Sequence, residues 1–155
     1  MTSDSPWLSA DQQQAWRRWI ALLTALPATL NRELQDTEGL SFSDYDVLVA
    51  LTETEGGRLR VGDLAAAVAW ERSRLSHHLR RMEKRGLVER EECEDDGRGS
   101  WVVVSEAGVA SMERAAPSHA RLVRELVFDD LTDAELAVLD KVLDGVLTKV
   151  RANGG

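Results

Sequence analysis

Between Glu71 and Val88 the chain reads ERSRLSHHLRRMEKRGLV, and no other stretch restricts the possible folds as much. At about 100° per residue, Leu75, Leu79 and Met82 fall in one narrow stripe, with Ser73, His77, Arg80, Arg81 and Lys84 opposite. Arg72, Arg74 and Arg85 add positive charge, against Glu83 once the helix has begun. Such a helix packs a thin apolar seam on a core and turns a cationic face outward. Gly86 is expected to end it at the C′ position, and Leu87-Val88 to open an extended segment. The cationic face is either a solvated surface or a surface for a polyanion, the DNA major groove being the first candidate. The whole chain, at 155 residues, carries a net charge of −8, so these cations stand against an acidic background. An acidic body argues against indiscriminate coating of nucleic acid or anionic membrane, whereas a local patch confines contact to one face.

The flanks decide between the two readings. Ser43 is expected to cap a helix running to about Glu53, with Phe42 and Val47 as a hydrophobic staple and Gly56-Gly57 as its stop. Arg58-Leu59-Arg60 is a short extended piece. A short alanine-rich helix over about 62–68 follows, with Val61, Leu64, Ala65 and Val68 on its buried side. After a brief turn at Ala69-Trp70 the basic helix begins, which makes the pair a helix-turn-helix. Leu87 to Cys93 and Ser100 to Val104 read as two strands joined by an Asp- and Gly-rich turn, so a β-hairpin follows directly. Helix-turn-helix plus hairpin is a winged helix. Turn geometry calls for Asp and Gly but not for Arg98; a wing arginine gains from the negative potential of the minor groove.

The remaining helices carry more apolar surface than a winged helix needs. Ser9 and Gln12 form a capping-box pattern ahead of a stripe from Trp16 through Trp19, Leu23, Leu26 and Leu30 to Leu34, with a kink expected at Pro27. Ser105 caps a helix expected to reach about Phe128, bent at Pro117. Thr132 and Glu135 open a last helix, whose stripe includes Leu136, Leu139, Val142, Leu143, Val146, Leu147 and Val150. The first helix and the last two therefore read as an intermolecular bundle. The expected fold is mainly α with a small β-wing (α+β). Its parts are an N-terminal dimerisation helix (1–40), a winged helix-turn-helix (41–104) and C-terminal dimerisation helices (105–155).

The order of these elements, LRRMEKRGLVER at Leu79–Arg90, and DGRG at Asp96–Gly99 followed by SEAG at Ser105–Gly108 together resemble the MarR-type transcriptional regulators over about residues 9–150. Glu71 ahead of the basic helix and Trp70 in the turn depart from the pattern. The resemblance implies a cytoplasmic homodimer on a pseudo-palindromic double-stranded DNA operator. It further implies a repressor, often released by a small molecule or an oxidant.

Within such a dimer the two basic helices enter successive major grooves roughly 34 Å apart. Ser73, Arg74, Ser76 and His77 are expected to face base edges, with Arg74 the best candidate for a guanine. Serine also serves as an N-cap, so for Ser73 capping is the alternative. Arg80, Arg81 and Lys84 are expected to meet phosphate, and Arg98 to carry the wing contact. Asp96 and Gly97 are structural at the wing tip. The resemblance places an effector pocket where Trp16, Arg18, Trp19 and His119 could line it, suited to a small aromatic or phenolic molecule.

Neither metal nor cofactor is expected. His77 and His78 point about 100° apart on a helix, and no pair among the histidines and Cys93 has ligand spacing. Cys93 is the single cysteine, so no internal disulfide is possible and a reducing cytoplasm suits the chain. Acidic neighbours, Glu91, Glu92, Glu94 and Asp95, disfavour its thiolate, so a redox switch at Cys93 is only an alternative. The first residues resemble no signal peptide, and no apolar run reaches membrane-spanning length. No nucleophile elbow, phosphate loop or paired carboxylates suggest an enzyme. The main rival is a winged helix used for protein–protein contact, which has no need of this many cations.

Overall fold

The computed structural model describes residues 6–92 and 100–153. In chain order the helices are α1 (Ala10–Glu38), α2 (Phe42–Thr52), α3 (Val61–Ala67), α4 (Arg72–Lys84), α5 (Glu106–Val123) and α6 (Asp133–Asn153). The strands are β1 (Arg58–Arg60), β2 (Val88–Glu92) and β3 (Ser100–Val104). They form one antiparallel sheet in the order β1-β3-β2, with Leu59 opposite Val102 and Val88 opposite Val104. The expected hairpin is present, and the short Arg58–Arg60 piece joins it as a third strand. The chain divides into two compact units, one up to Pro117 and one from Ser118 onward.

The first unit holds the core. Val47, Leu48 and Leu51 of α2, Leu64 of α3, and Leu75, Leu79 and Met82 of α4 are fully buried together with Val102 of β3. Each such side chain contributes about 1.5–3 kcal/mol relative to exposure. The apolar seam of the basic helix is thus one wall of the core, which fixes its other side toward solvent. The α1 stripe is divided. Leu30 and Leu34 are buried, whereas Trp16, Ile20, Leu22 and Leu23 remain exposed. Ser9 and Gln12 make the expected capping box, and the helix continues through Pro27 as one element.

Helix α2 starts two residues earlier than expected. Its cap is Ser41, whose Oγ accepts from the Asp44 N–H at 2.9 Å while Asp44 accepts from the Ser41 N–H at 2.8 Å. Ser43 therefore lies inside the first turn and is not the cap, and Phe42 begins the helix. Both serines have an aspartate three residues on, so the local pattern allows either; the buried position of Asp44 selects Ser41.

Helices α3 and α4 are joined by a Schellman turn, with Trp70 N–H on Ala65 C=O at 2.9 Å and Ala69 N–H on Ala66 C=O at 3.2 Å. The C′ position, usually glycine, is Ala69 at φ 55°. Ala69→Gly is expected to raise stability by about 0.5 kcal/mol, because relief of the left-handed Cβ strain slightly exceeds glycine's extra entropy loss. Thermal unfolding at fixed protein concentration checks the sign. The same motif closes α4, where Gly86 at φ 72° and Leu87 bond to Glu83 and Met82.

Ser105 precedes α5 as expected. Its Oγ accepts from the Gly108 N–H and donates to the Gly86 carbonyl, tying the end of the wing to the end of α4. The regular helix stops at Val123, and residues 124–128 continue as a π-helical turn in place of the α-helix expected to Phe128. In the second unit, Thr132 and Glu135 form the expected capping box of α6. The α6 stripe is solvent-facing in the single chain, with Val142, Leu143, Val146, Leu147 and Val150 all exposed.

Candidate nucleic-acid interface

Helix α4 presents Ser73, Arg74, His77, Arg80, Arg81 and Lys84 to solvent, with Ser76 partly buried beside them. Glu71 is the N-cap residue, so Ser73 stands in the first turn and the capping role weighed for it is not realised. Its hydroxyl remains on the open face.

Two of the arginines are held from beneath. The Arg74 guanidinium lies 4.2 Å over the Trp70 ring, and Arg81 Nη2 is 2.9 Å from His78 Nδ1. Trp70 meets the His78 ring edge-on, with centroids 5.3 Å apart. His78 is buried, and its Nε2 lies 2.9 Å from Asp44 Oδ1. Asp44 is buried too, and its Oδ2 receives Arg85 Nη1 at 2.6 Å. Burial alone would raise the Asp44 pKa. The close contact with His78, hydrogen bonds from the Ser41 backbone and Arg85, and the charge of Arg85 outweigh it and hold the carboxyl well below the usual carboxylate range.

Arg85 also donates to the Gly39 carbonyl at 2.7 Å, so this cation of the basic stretch serves the body of the fold. Arg72 folds back against Gly62, leaving too little room there for a Cβ. A cleft of about 260 Å³ opens between the start of α2 and α4, lined by Ser41, Ser43, Trp70, Arg74, His77, His78 and Arg81. On the sheet, Arg58 and Arg60 flank the Trp101 ring at 4.8 and 5.1 Å. A cationic helix face, backed by a tight helix-turn-helix and bordered by a hairpin, can receive a polyanion the width of a nucleic-acid backbone.

The profile of the MarR family matches residues 38–99, which span the helix-turn-helix and the first wing strand, β2. AbsC, a MarR family transcriptional regulator from Streptomyces coelicolor, is 40% identical. The alignment covers 96% of this chain and 99% of AbsC, with a TM-score of 0.89. The chain belongs to the MarR family of transcriptional regulators. A second Streptomyces coelicolor member, Sco3205, solved in complex with DNA, is 39% identical over 94% of this chain and 91% of its own, with a TM-score of 0.89. The organohalide-sensing regulator RdhR-CbdbA1625, in its 2,4-dichlorophenol-bound form, is 22% identical and shares the fold. It matches at a TM-score of 0.77 over 99% of this chain and 88% of its own. No curated protein is significantly similar in sequence.

In this MarR-family regulator the expected DNA-facing residues of α4 share one accessible surface. Arg98, Asp96, Gly97 and Cys93 lie outside the described residues. Of the expected effector-site residues, Trp16 and Arg18 are exposed and Trp19 partly buried on α1, while His119 is partly buried on α5 beyond Pro117. Among the described residues no three His, Cys, Asp or Glu side chains gather as a metal site, and no helix is long and apolar enough to cross a membrane.

Sequence reasoning missed Trp70, His78 and Asp44. Trp70 stood out only as an unusual turn residue, and its use became visible once Arg74 was seen stacked on it. His78 and Asp44 lie 34 positions apart, and no local pattern links them.

Proposed function

We propose that this MarR-family regulator binds a pseudo-palindromic operator as a cytoplasmic homodimer and represses transcription until a small aromatic or phenolic effector releases it. The observation that carries the reading is the exposed cationic face of α4 on the winged helix of a chain that is 39% identical to a DNA-bound relative. Residues 41–104 are the DNA-binding part; Arg74 with Ser73, Ser76 and His77 reads bases, while Arg80, Arg81 and Lys84 hold phosphate. The first and last parts of the chain, 1–40 and 105–155, dimerise. The exposed α6 stripe and the exposed first half of the α1 stripe support that assignment, because apolar patches of this extent mark interaction surfaces. The aromatic effector draws support from the 2,4-dichlorophenol-bound form of RdhR-CbdbA1625, a regulator of the same fold.

A gel shift against the DNA upstream of the protein's own coding sequence, with excess competitor DNA, tests the reading. A specific shift that aromatic acids or phenols reverse is expected. Absence of any specific shift at low salt would favour the protein–protein rival. For the wing, Arg98→Ala is expected to weaken operator binding and reduce the log–log salt slope by about 0.9. Unchanged affinity and slope would remove Arg98 from the contacts.

A further inference from the structure

We propose that His78 is a positioning residue for DNA binding, holding the Arg81 guanidinium on the outer face of α4 through contacts anchored on Asp44. The inference rests on the DNA-facing reading of α4. Arginine has only donors, so the contact between Arg81 Nη2 and His78 Nδ1, at 2.9 Å, requires Nδ1 to accept. The ring proton then sits on Nε2, beside Asp44 Oδ1 at 2.9 Å. Asp44 cannot swing away, because its other oxygen takes Arg85 and the Ser41 N–H. Nδ1 is therefore committed to the outer face, while Nε2 lies against the Asp44 carboxylate at ion-pair distance without meeting hydrogen-bond geometry. If His78 only filled space in the core, a leucine would serve without the cost of burying a polar ring.

Trp70 extends the arrangement. Its ring makes a T-shaped contact with His78 while its face carries Arg74. Arg74 and Arg81 are seven residues, about two helical turns, apart on one face. One assembly, with Asp44 and His78 buried and Trp70 partly so, thus aims both arginines before any ligand arrives. Arg81 spends one of its N–H groups on His78, and the residue lines the cleft shared with Arg74, His77 and Ser43. Preorganisation of this kind lowers the ordering cost of binding.

The test titrates the full chain with two duplexes at low salt, one of mixed sequence and one from its own upstream DNA. His78→Gln keeps a donor within reach of Asp44 but sets its amide one methylene beyond the position of Nδ1, away from Arg81; His78→Asn sets its amide carbonyl near the position of Nδ1. His78→Gln is expected to weaken binding by about two- to tenfold, the cost of ordering one long side chain. His78→Asn is expected to retain more of the affinity. In an Arg81→Ala background, His78→Gln is expected to have no further effect, a coupling that a general loss of structure would not produce. Ring-nitrogen NMR shifts of the unaltered protein are expected to show the Nε2–H tautomer of His78, a readout independent of any variant's folding. An Nδ1–H tautomer, or the same loss with and without Arg81, would overturn the proposal. Failure of the unaltered protein to bind either duplex would instead sink the DNA reading on which it rests.

Discussion

Gly108→Ala is expected to destabilise the fold by about 3 kcal/mol, measured by urea unfolding at fixed protein concentration. Gly108 stands in the first turn of α5, where a Cβ would overlap the Leu87 carbonyl oxygen and crowd Val104 Cγ2 at 3.1 Å. The obstacle is backbone, so no side-chain rotation removes it. That carbonyl also accepts from the Ser105 N–H at 3.1 Å, and the Leu87 N–H is bound to Met82 at 3.0 Å. Moving it would disturb the junction of α4, the wing and α5 together. A loss below about 1 kcal/mol would show that this junction yields more readily than its hydrogen bonds suggest.

The second large effect is expected at Asp44. Asp44→Ala removes at once the acceptor for Arg85 and the Ser41 N–H and the carboxylate that sits against the buried His78 ring. Breaking a buried ionic network from one side costs about 3 kcal/mol or more. Arg85 is partly exposed and can turn to water, which holds the expectation to the lower end. The pH dependence has a definite sign. Because the folded Asp44 carboxyl is held below its ordinary range, it adds stability above about pH 4, and that stability is lost as the pH falls through the folded pKa. Acid unfolding of the unaltered protein is therefore expected to be steeper than that of Asp44→Ala. Parallel pH profiles would mean that Asp44 contributes little to the network.

Much of the fold was legible in the chain because its signals are local. The stripe of Leu75, Leu79 and Met82, the Gly86 stop, the Thr132/Glu135 box and the β-branched run after Trp101 each lie within one or two turns of chain. Helical and strand periodicities report burial directly at that range. The legibility fails where two local answers are equally good. Ser41 and Ser43 each precede an aspartate by three residues, and only the contact of Asp44 with His78 and Arg85 chooses between them. The π-helical turn at 124–128 likewise carries no periodic signal that separates it from α-helix.

The candidate site divides along the same line. The sequence by itself determined the secondary-structure order, the MarR resemblance, and which helix carries the positive charge, since charge and apolar spacing are properties of single segments. Tertiary structure alone decided what each cation does. Arg85 is drawn inward to Asp44 and Gly39, Arg72 folds over Gly62, Arg74 rests on Trp70, and Arg81 is held by His78. These roles depend on partners up to 46 residues away in the chain. A guanidinium's partner is set by what packing brings within about 3 Å of it, and spacing along one helix does not encode that.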